Sequence, residues 1–261
     1  MSAVSATAQR PSVLLLGGTS EGYELASALA ARRQWHTINS LAGRTEQPRR
    51  PAGETRIGGF GGVAGLAAWL RAHAIRATLD ATHPFAATMG WHAAAACAQA
   101  GVPLLRLERP PWTAVPGDNW HEVADWPAAV ERLRHLNARR VLLAVGRQEL
   151  APFAQLDQAW FLIRCVTPPL PLPPFAAAEV RLARGPFTLA DERALLDTYR
   201  IDAIVCKNSG GDATVAKLVA ARERGLPVIL QRRPPRPPTM TVTDIDAALA
   251  WLERVTKPAG E

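Results

Sequence analysis

The strongest constraint on this chain is a rhythm. Short apolar, β-branched runs alternate with helical patterns from about residue 13 almost to the C-terminus. Parallel strands need long crossovers and helices supply them, so this alternation specifies parallel α/β architecture. Strands are expected over 13–16, 36–41, 56–58, 77–81 and 102–107. A helix over 21–32 buries Leu25, Ala28 and Leu29, and another carries Leu66, Trp69, Leu70 and His73 at helical spacing. In "THPFA", Thr82 or His83 is expected to cap a helix running to Ala100, with Pro84 in its first turn and Gly101 as its stop. The segment "ERPPWTAVPGDN" marks a domain boundary. Beyond it the rhythm resumes: a helix from about Pro127, a strand over 140–145, a short helix from Arg147 and a strand over 159–164. An extended proline tract, "TPPLPLPPF", comes next. A helix over 189–199, a strand over 203–206, a helix over 213–223 and a strand over 227–230 follow. "RRPPRPP" then leads into a last helix over 245–254. The expected fold is α/β, with two Rossmann-like domains over 11–112 and 113–261. Their mainly parallel sheets are expected to face each other across a cleft.

The 261 residues leave room for two domains of about 100–150 residues each. No apolar run approaches the roughly 18–20 residues that cross a bilayer, and the first twelve residues lack a signal-peptide core. Cys97, Cys165 and Cys206 share no metal-ligand spacing. They suit a reducing cytoplasm, with neither disulfide nor metal. The net charge of +7 and a pI near 10.1 call for an anionic partner. The basic residues form no stripe interleaved with aromatics, which argues against nucleic acid and for a phosphate or polycarboxylate ligand. A monomer or weak oligomer is expected.

Ligands of doubly wound sheets bind beyond the carboxyl ends of the strands. The first such turn, "GGTSEG", has Thr19 where the dinucleotide fingerprint G-x-G-x-x-G has its middle glycine. Gly17 and Gly18 still let a pyrophosphate approach the backbone, and Thr19 and Ser20 add hydroxyls at a helix N-terminus. An NAD site would place an acidic residue about 20 positions on. Between Glu24 and Glu46 there is none, and Ser40 and Arg44 stand there instead. A hydroxyl and a guanidinium suit the 2′-phosphate of NADP, so the expected cofactor is NADPH, bound by the first domain. In "GGFGG", Gly59, Phe60 and Gly61 let backbone approach the cofactor. "DATHPFA" supplies Thr82 and His83, the latter a candidate proton donor or orienter. In the second half, "KNSGG" brings together Lys207, Asn208, Ser209 and Gly210, with Asp212 opening the next helix. This is a second anion-binding turn.

Three of these loops, "GGTSEG", "DATHPFA" and "KNSGGDATVAKLVAARERGLPVILQRRP", together resemble those of precorrin-6A reductases, over about residues 13–234. The resemblance implies an NADPH-dependent enzyme of cobalamin biosynthesis. Such an enzyme delivers a hydride to one double bond of the precorrin-6A macrocycle to give precorrin-6B. It implies that Gly17, Gly18, Thr19, Ser20 and Glu21 lie at the cofactor phosphates, that Thr82 and His83 sit near the cofactor, and that residues 207–210 line the substrate cleft. A tetrapyrrole polycarboxylate matches the basic composition. Phe60, Phe85, Trp91 and Trp112 are candidates for packing on its face. His83, Asp80, Asp212 and solvent are the candidate proton sources.

Other classes fit less well. A short-chain dehydrogenase needs Tyr-x-x-x-Lys, whereas Tyr23 and Tyr199 are followed four places on by Ser27 and Ala203. A two-domain nucleotide-sugar glycosyltransferase and a non-catalytic NADPH sensor remain alternatives, as does a cobalt-bearing form of the same substrate.

Overall fold

The computed structural model describes residues 10–43 and 50–257. The chain divides into two compact units, one running up to Arg109 and resuming at Pro235, the other spanning Pro110–Pro234. The first unit contains β1 (Ser12–Leu16), α1 (Ser20–Arg32), β2 (His36–Leu41), β3 (Glu54–Ile57), α2 (Gly62–Ala72), β4 (Ile75–Asp80), α3 (Ala87–Ala100) and β5 (Leu104–Leu107). The second contains β6 (Trp120–Val123), α4 (Trp126–His135), β7 (Arg140–Ala144), β8 (Trp160–Cys165), β9 (Ala178–Leu182), α5 (Leu189–Thr198), β10 (Ala203–Lys207), α6 (Ala216–Glu223) and β11 (Val228–Gln231). The chain then returns to the first unit with β12 (Thr241–Val242) and α7 (Ile245–Thr256).

Both sheets have six strands, all parallel. The orders are β12-β5-β4-β1-β2-β3 and β6-β11-β10-β7-β8-β9. These are the same arrangement, with the outermost strand on one side supplied from outside the run of the other five. Central strands such as β1 are apolar on both faces because helices cover both. In the first unit Leu14 and Leu16 face Leu66, Leu70 and Ala93, while Val13 and Leu15 face Leu25, Leu29, Leu249 and Leu252.

The second boundary differs from the sequence reading, which gave 113–261 to one domain. Ala248, Leu249, Trp251 and Leu252 of α7 pack with Leu79 and Leu105 of the first sheet. Without them that face would stand open, so the last segment belongs to the first unit. Three strands, β6, β9 and β12, lacked a signal in the sequence. All are outermost or next to it, and β9 is exposed along most of its length. The helix expected from Arg147 is a turn followed by a 3-10 segment over Ala151–Gln155, with Pro152 in its first turn. The helix expected from 213 opens as a 3-10 turn, Asp212–Thr214, before α6. No described helix is long and apolar enough to cross a membrane.

Candidate active site

Strand order in the first sheet reverses between β1 and β4, the switch point where ligands of such sheets bind. The two turns that leave these strands are tied together. The Ala81 amide donates to the Leu16 carbonyl at 2.8 Å. The Thr19 hydroxyl donates to the Ala81 carbonyl at 2.8 Å and accepts from the Gly22 amide at 3.1 Å. Thr19 is therefore the N-cap of α1 and a latch to β4, and its hydroxyl is committed to both tasks. This differs from the expected donor to phosphate, and explains why a threonine replaces the middle glycine. Gly18 has φ +117°, a backbone that only glycine adopts without strain, and nothing lies within 4 Å of where a Cβ would stand. The amides of Ser20 and Glu21 precede the first intrahelical bond, from the Tyr23 amide to the Thr19 carbonyl at 3.1 Å. They point out of the helix end, where an anion is stabilised. The Glu21 carboxylate is turned aside to Arg109 at 2.7 Å.

A shallow depression beside this turn is lined by Gly17, Gly18, Tyr23, Asn39 and Leu41. A larger hollow of about 670 Å³, lined by Ser12, Trp35, His36 and Glu54, lies at the amino ends of β1 and β2. That is the wrong end of a parallel sheet for a ligand, whereas the smaller depression lies at the carboxyl ends of β1 and β2.

At the end of β2, Ser40 is buried and accepts from Arg56 Nη1 at 2.8 Å. Arg56 also donates to the carbonyls of Gly58 and Gly59, both at 2.9 Å, and lies 3.7 Å over the Phe60 ring. Burial pulls its pKa below the ordinary value, yet a guanidinium remains charged. Arg56 is thus a fixed cation beside the expected 2′-phosphate position, and the sequence reading passed it over as a strand residue. Arg44 lies outside the described residues. Gly61 precedes α2 in a left-handed conformation, with no side chain capping that helix. Phe60 is partly buried and packs edge-on against Trp69 at 5.4 Å.

In the turn after β4, Asp80 is fully buried. Its Oδ1 accepts from the Thr82 amide at 3.1 Å and the Thr82 hydroxyl at 2.6 Å, and its Oδ2 accepts from Arg236 at 2.6 Å. Neither Thr82 nor His83 caps α3, which begins at Ala87 without a side-chain cap. Pro84 and Phe85 form a separate turn closed by the Ala86 amide on the His83 carbonyl at 2.7 Å. His83 Nδ1 accepts from the Phe85 amide at 3.2 Å, which places the donor-capable nitrogen at Nε2 when the ring is neutral.

The second sheet reverses between β7 and β10. There the Asn208 side chain accepts from the Trp112 amide at 2.8 Å and donates to the Trp112 carbonyl at 3.0 Å. Arg233 donates to the carbonyls of Asn208 at 3.0 Å and Ser209 at 3.1 Å. Gly210 fits because a Cβ there would meet the Pro110 carbonyl at 2.1 Å. Asn208 and Gly210 thus hold the chain as it enters the unit, and Trp112 is fixed by its Nε1 bond to the Gly211 carbonyl at 3.0 Å. Lys207 pairs with Glu149 at 3.3 Å, Ser209 is half-buried and Asp212 is exposed.

A family model described as precorrin-6x reductase CbiJ/CobK matches residues 12–253. The chain belongs to this family. A precorrin-6A reductase from Rhodococcus erythropolis is 50% identical over 247 residues, covering 94% of this chain and 98% of the relative. A solved structure described as CobK precorrin-6A reductase superposes with a TM-score of 0.89 at 44% identity, covering 96% of this chain and all of that one. A cobalt-precorrin-6A reductase from Synechocystis sp. is 30% identical over 195 residues, or 71% of this chain and 74% of the relative. For this CbiJ/CobK member the residues that sequence reasoning missed are Arg56, Arg109, Arg233 and Arg236. The last three sit in Arg-Pro segments read as linkers, where the arginine content itself was the available signal.

Proposed function

We propose that this chain is a precorrin-6A reductase of cobalamin biosynthesis, reducing one double bond of the macrocycle with NADPH. The observation that carries the cofactor site is the open glycine turn at the switch point, Gly17 to Glu21, with Gly18 at φ +117° heading α1. NADPH, when bound, supplies the hydride, and a proton completes the reduction. The residues present fit that cofactor. Gly17, Gly18 and the amides of Ser20 and Glu21 receive its phosphates, and Arg56, held on Ser40, reads the 2′-phosphate together with Arg44. The Gly59–Gly61 backbone borders the cofactor. Thr82 holds the entry of the turn that presents His83 to the reacting end. Asp80 is removed from the proton donors because it is fully buried with both oxygens engaged. His83, Asp212 and solvent remain.

Lys207 and Ser209 take carboxylates of the polyanionic substrate, while Asn208 and Gly210 shape their loop. Greater likeness to a relative named for the metal-free substrate than to one named for the cobalt form favours precorrin-6A itself.

Calorimetric titration with NADPH and then NADH tests the reading. NADPH is expected to bind more tightly, and Arg56→Ala to lose roughly ten- to a hundredfold of that affinity, with NADH nearly unchanged. Equal loss for both cofactors would remove Arg56 from the 2′-phosphate. Turnover of precorrin-6A, with the cobalt form as comparison, then tests the activity itself.

A further inference from the structure

We propose that Arg236 is a positioning residue for the Thr82–His83 turn, a role that rests on the reductase reading for its consequence in turnover. Arg236 belongs to the "RRPPRPP" segment, and its side chain is only 6% exposed. Its Nη2 donates to Asp80 Oδ2 at 2.6 Å and to Thr82 Oγ1 at 3.2 Å, and its Nη1 donates to Glu108 Oε2 at 2.7 Å. The Thr82 hydroxyl gives its one proton to Asp80 and accepts from Arg236. The entry of the turn is thereby fixed by a carboxylate on one side and a guanidinium on the other. His83 is the next residue.

A planar guanidinium with two donor nitrogens sets both distance and direction toward its partners. A lysine would supply the charge without the plane. Asp80 and Glu108 face Arg106 and Arg236, so the group is neutral as a whole. Buried ion pairs are weak devices for stability compared with apolar packing. What this group adds is a defined geometry at the end of β4, the point from which the turn departs.

Helix α3 is built to admit the guanidinium. Gly90 stands in its first turn, amid a run otherwise rich in alanine. A Cβ at 90 would lie 2.8 Å from both Nε and Nη2 of Arg236. Glycine weakens a helix, and here its reason is the space that Arg236 fills. The segment is held on either side of Arg236 as well. Trp91 Nε1 donates to the Pro235 carbonyl at 3.4 Å, and Arg106 Nη1 to the Pro237 carbonyl at 3.2 Å.

The test uses the full chain as Gly90→Ala, Arg236→Lys and Arg236→Met. Gly90→Ala displaces the guanidinium while leaving every charge in place, so it reports even if Arg236→Met does not fold. Amide hydrogen exchange in the cofactor-free protein is read over residues 81–86, followed by NADPH affinity, kcat and KM. The expected result is exchange about tenfold faster at the turn, with the rest of the first unit unchanged. A fall in kcat of about ten- to a hundredfold is expected alongside it, because small misplacements of a reacting group cost that much. NADPH affinity is expected to fall less than kcat, because the phosphate turn is tied to the chain at Ala81, ahead of the residues that Arg236 holds, and Arg236→Lys should fall between wild type and Arg236→Met. Unchanged exchange at the turn in folded Gly90→Ala overturns the proposal. So does exchange raised evenly through the unit, which is what loss of a mere plug would give. Wild-type protein that binds NADPH without reducing precorrin-6A retires the reductase reading, while the exchange result still decides the role of Arg236.

Discussion

The turns that follow β4 and β10 occupy equivalent places in two sheets of the same strand order, yet they are built with opposite chemistry. After β4, a buried carboxylate, Asp80, meets Arg236 and Arg106. After β10, a neutral amide, Asn208, pairs with the backbone of Trp112 through one donated and one accepted bond. Each turn holds a stretch of Arg-Pro chain, the first through a buried carboxylate and the second through a side-chain amide, with Arg233 donating to two carbonyls of the same loop. The neutral clasp satisfies its partners and needs no counter-charge. The ionic clasp fixes direction, and it stands where the hydride chemistry is proposed to occur. Each sheet thus has one switch point; at the first the clasp is an ion pair, and at the second it is a side-chain amide with the Lys207–Glu149 pair beside it.

The largest effect expected from breaking this contrast is that of Asp80→Ala. It leaves Arg106 and Arg236 buried without their shared partner, and removal of one member of a buried pair costs about 3–5 kcal/mol. Asn208→Ala leaves the Trp112 amide unpaired and is expected to cost about 1–3 kcal/mol. Hydrogen exchange under increasing urea resolves the two units separately and measures both. Equal costs would show that the first clasp is no more electrostatic than the second.

A smaller effect is expected at the turn after β3, where helix and loop backbone touch. A Cβ on Gly65 would lie 1.8 Å from the Phe60 carbonyl oxygen, and backbone there has little freedom to yield. Gly65→Ala is expected to cost about 1–3 kcal/mol through overpacking. It should also weaken NADPH binding, because Phe60 carries the Arg56 guanidinium. Thermal melting and cofactor titration of the variant check both. Full NADPH affinity in a destabilised Gly65→Ala protein would separate the turn from the cofactor.

Much of this could be read from the chain because buried parallel strands advertise themselves. Val13 to Leu16 and Ala203 to Cys206 are apolar on both faces, Ala77 and Leu79 make one apolar face of β4, and the glycine turn marks the first switch point. The outer strands gave no such signal: β9 keeps only Val180 partly buried, and β12 is two residues long. The return of α7 to the first sheet was hidden for a different reason. Its apolar stripe states that it packs against something, but not which of two similar sheets has an open face. The site divides the same way. Glycines and His83 stood out locally, whereas the uses of Thr19, Asn208 and Arg236 depend on partners 62, 96 and 156 positions away.

The smallest effect concerns the exposed ion pairs of the second unit. Arg193 forks onto Glu223 at 2.7 and 2.5 Å, and Arg224 forks onto Asp197 at 2.8 and 2.7 Å, joining α5 to α6 and its C-terminal end. Hydrogen bonding from these arginines holds both carboxyls below their ordinary values of 4.5 for Glu223 and 3.8 for Asp197. A carboxyl depressed in the folded state contributes stability above its unfolded pKa and loses it as pH falls through the folded one. Exchange protection of α5 and α6 should therefore decline as pH drops below about 4.5, corrected for intrinsic exchange rates, and salt should weaken the contribution because the pairs are exposed. Glu223→Gln with Asp197→Asn should remove that part of the acid dependence and leave protection at neutral pH only slightly reduced. If the double variant keeps the full decline, the acid sensitivity resides elsewhere in the unit, and the exterior pairs make no measurable contribution to it.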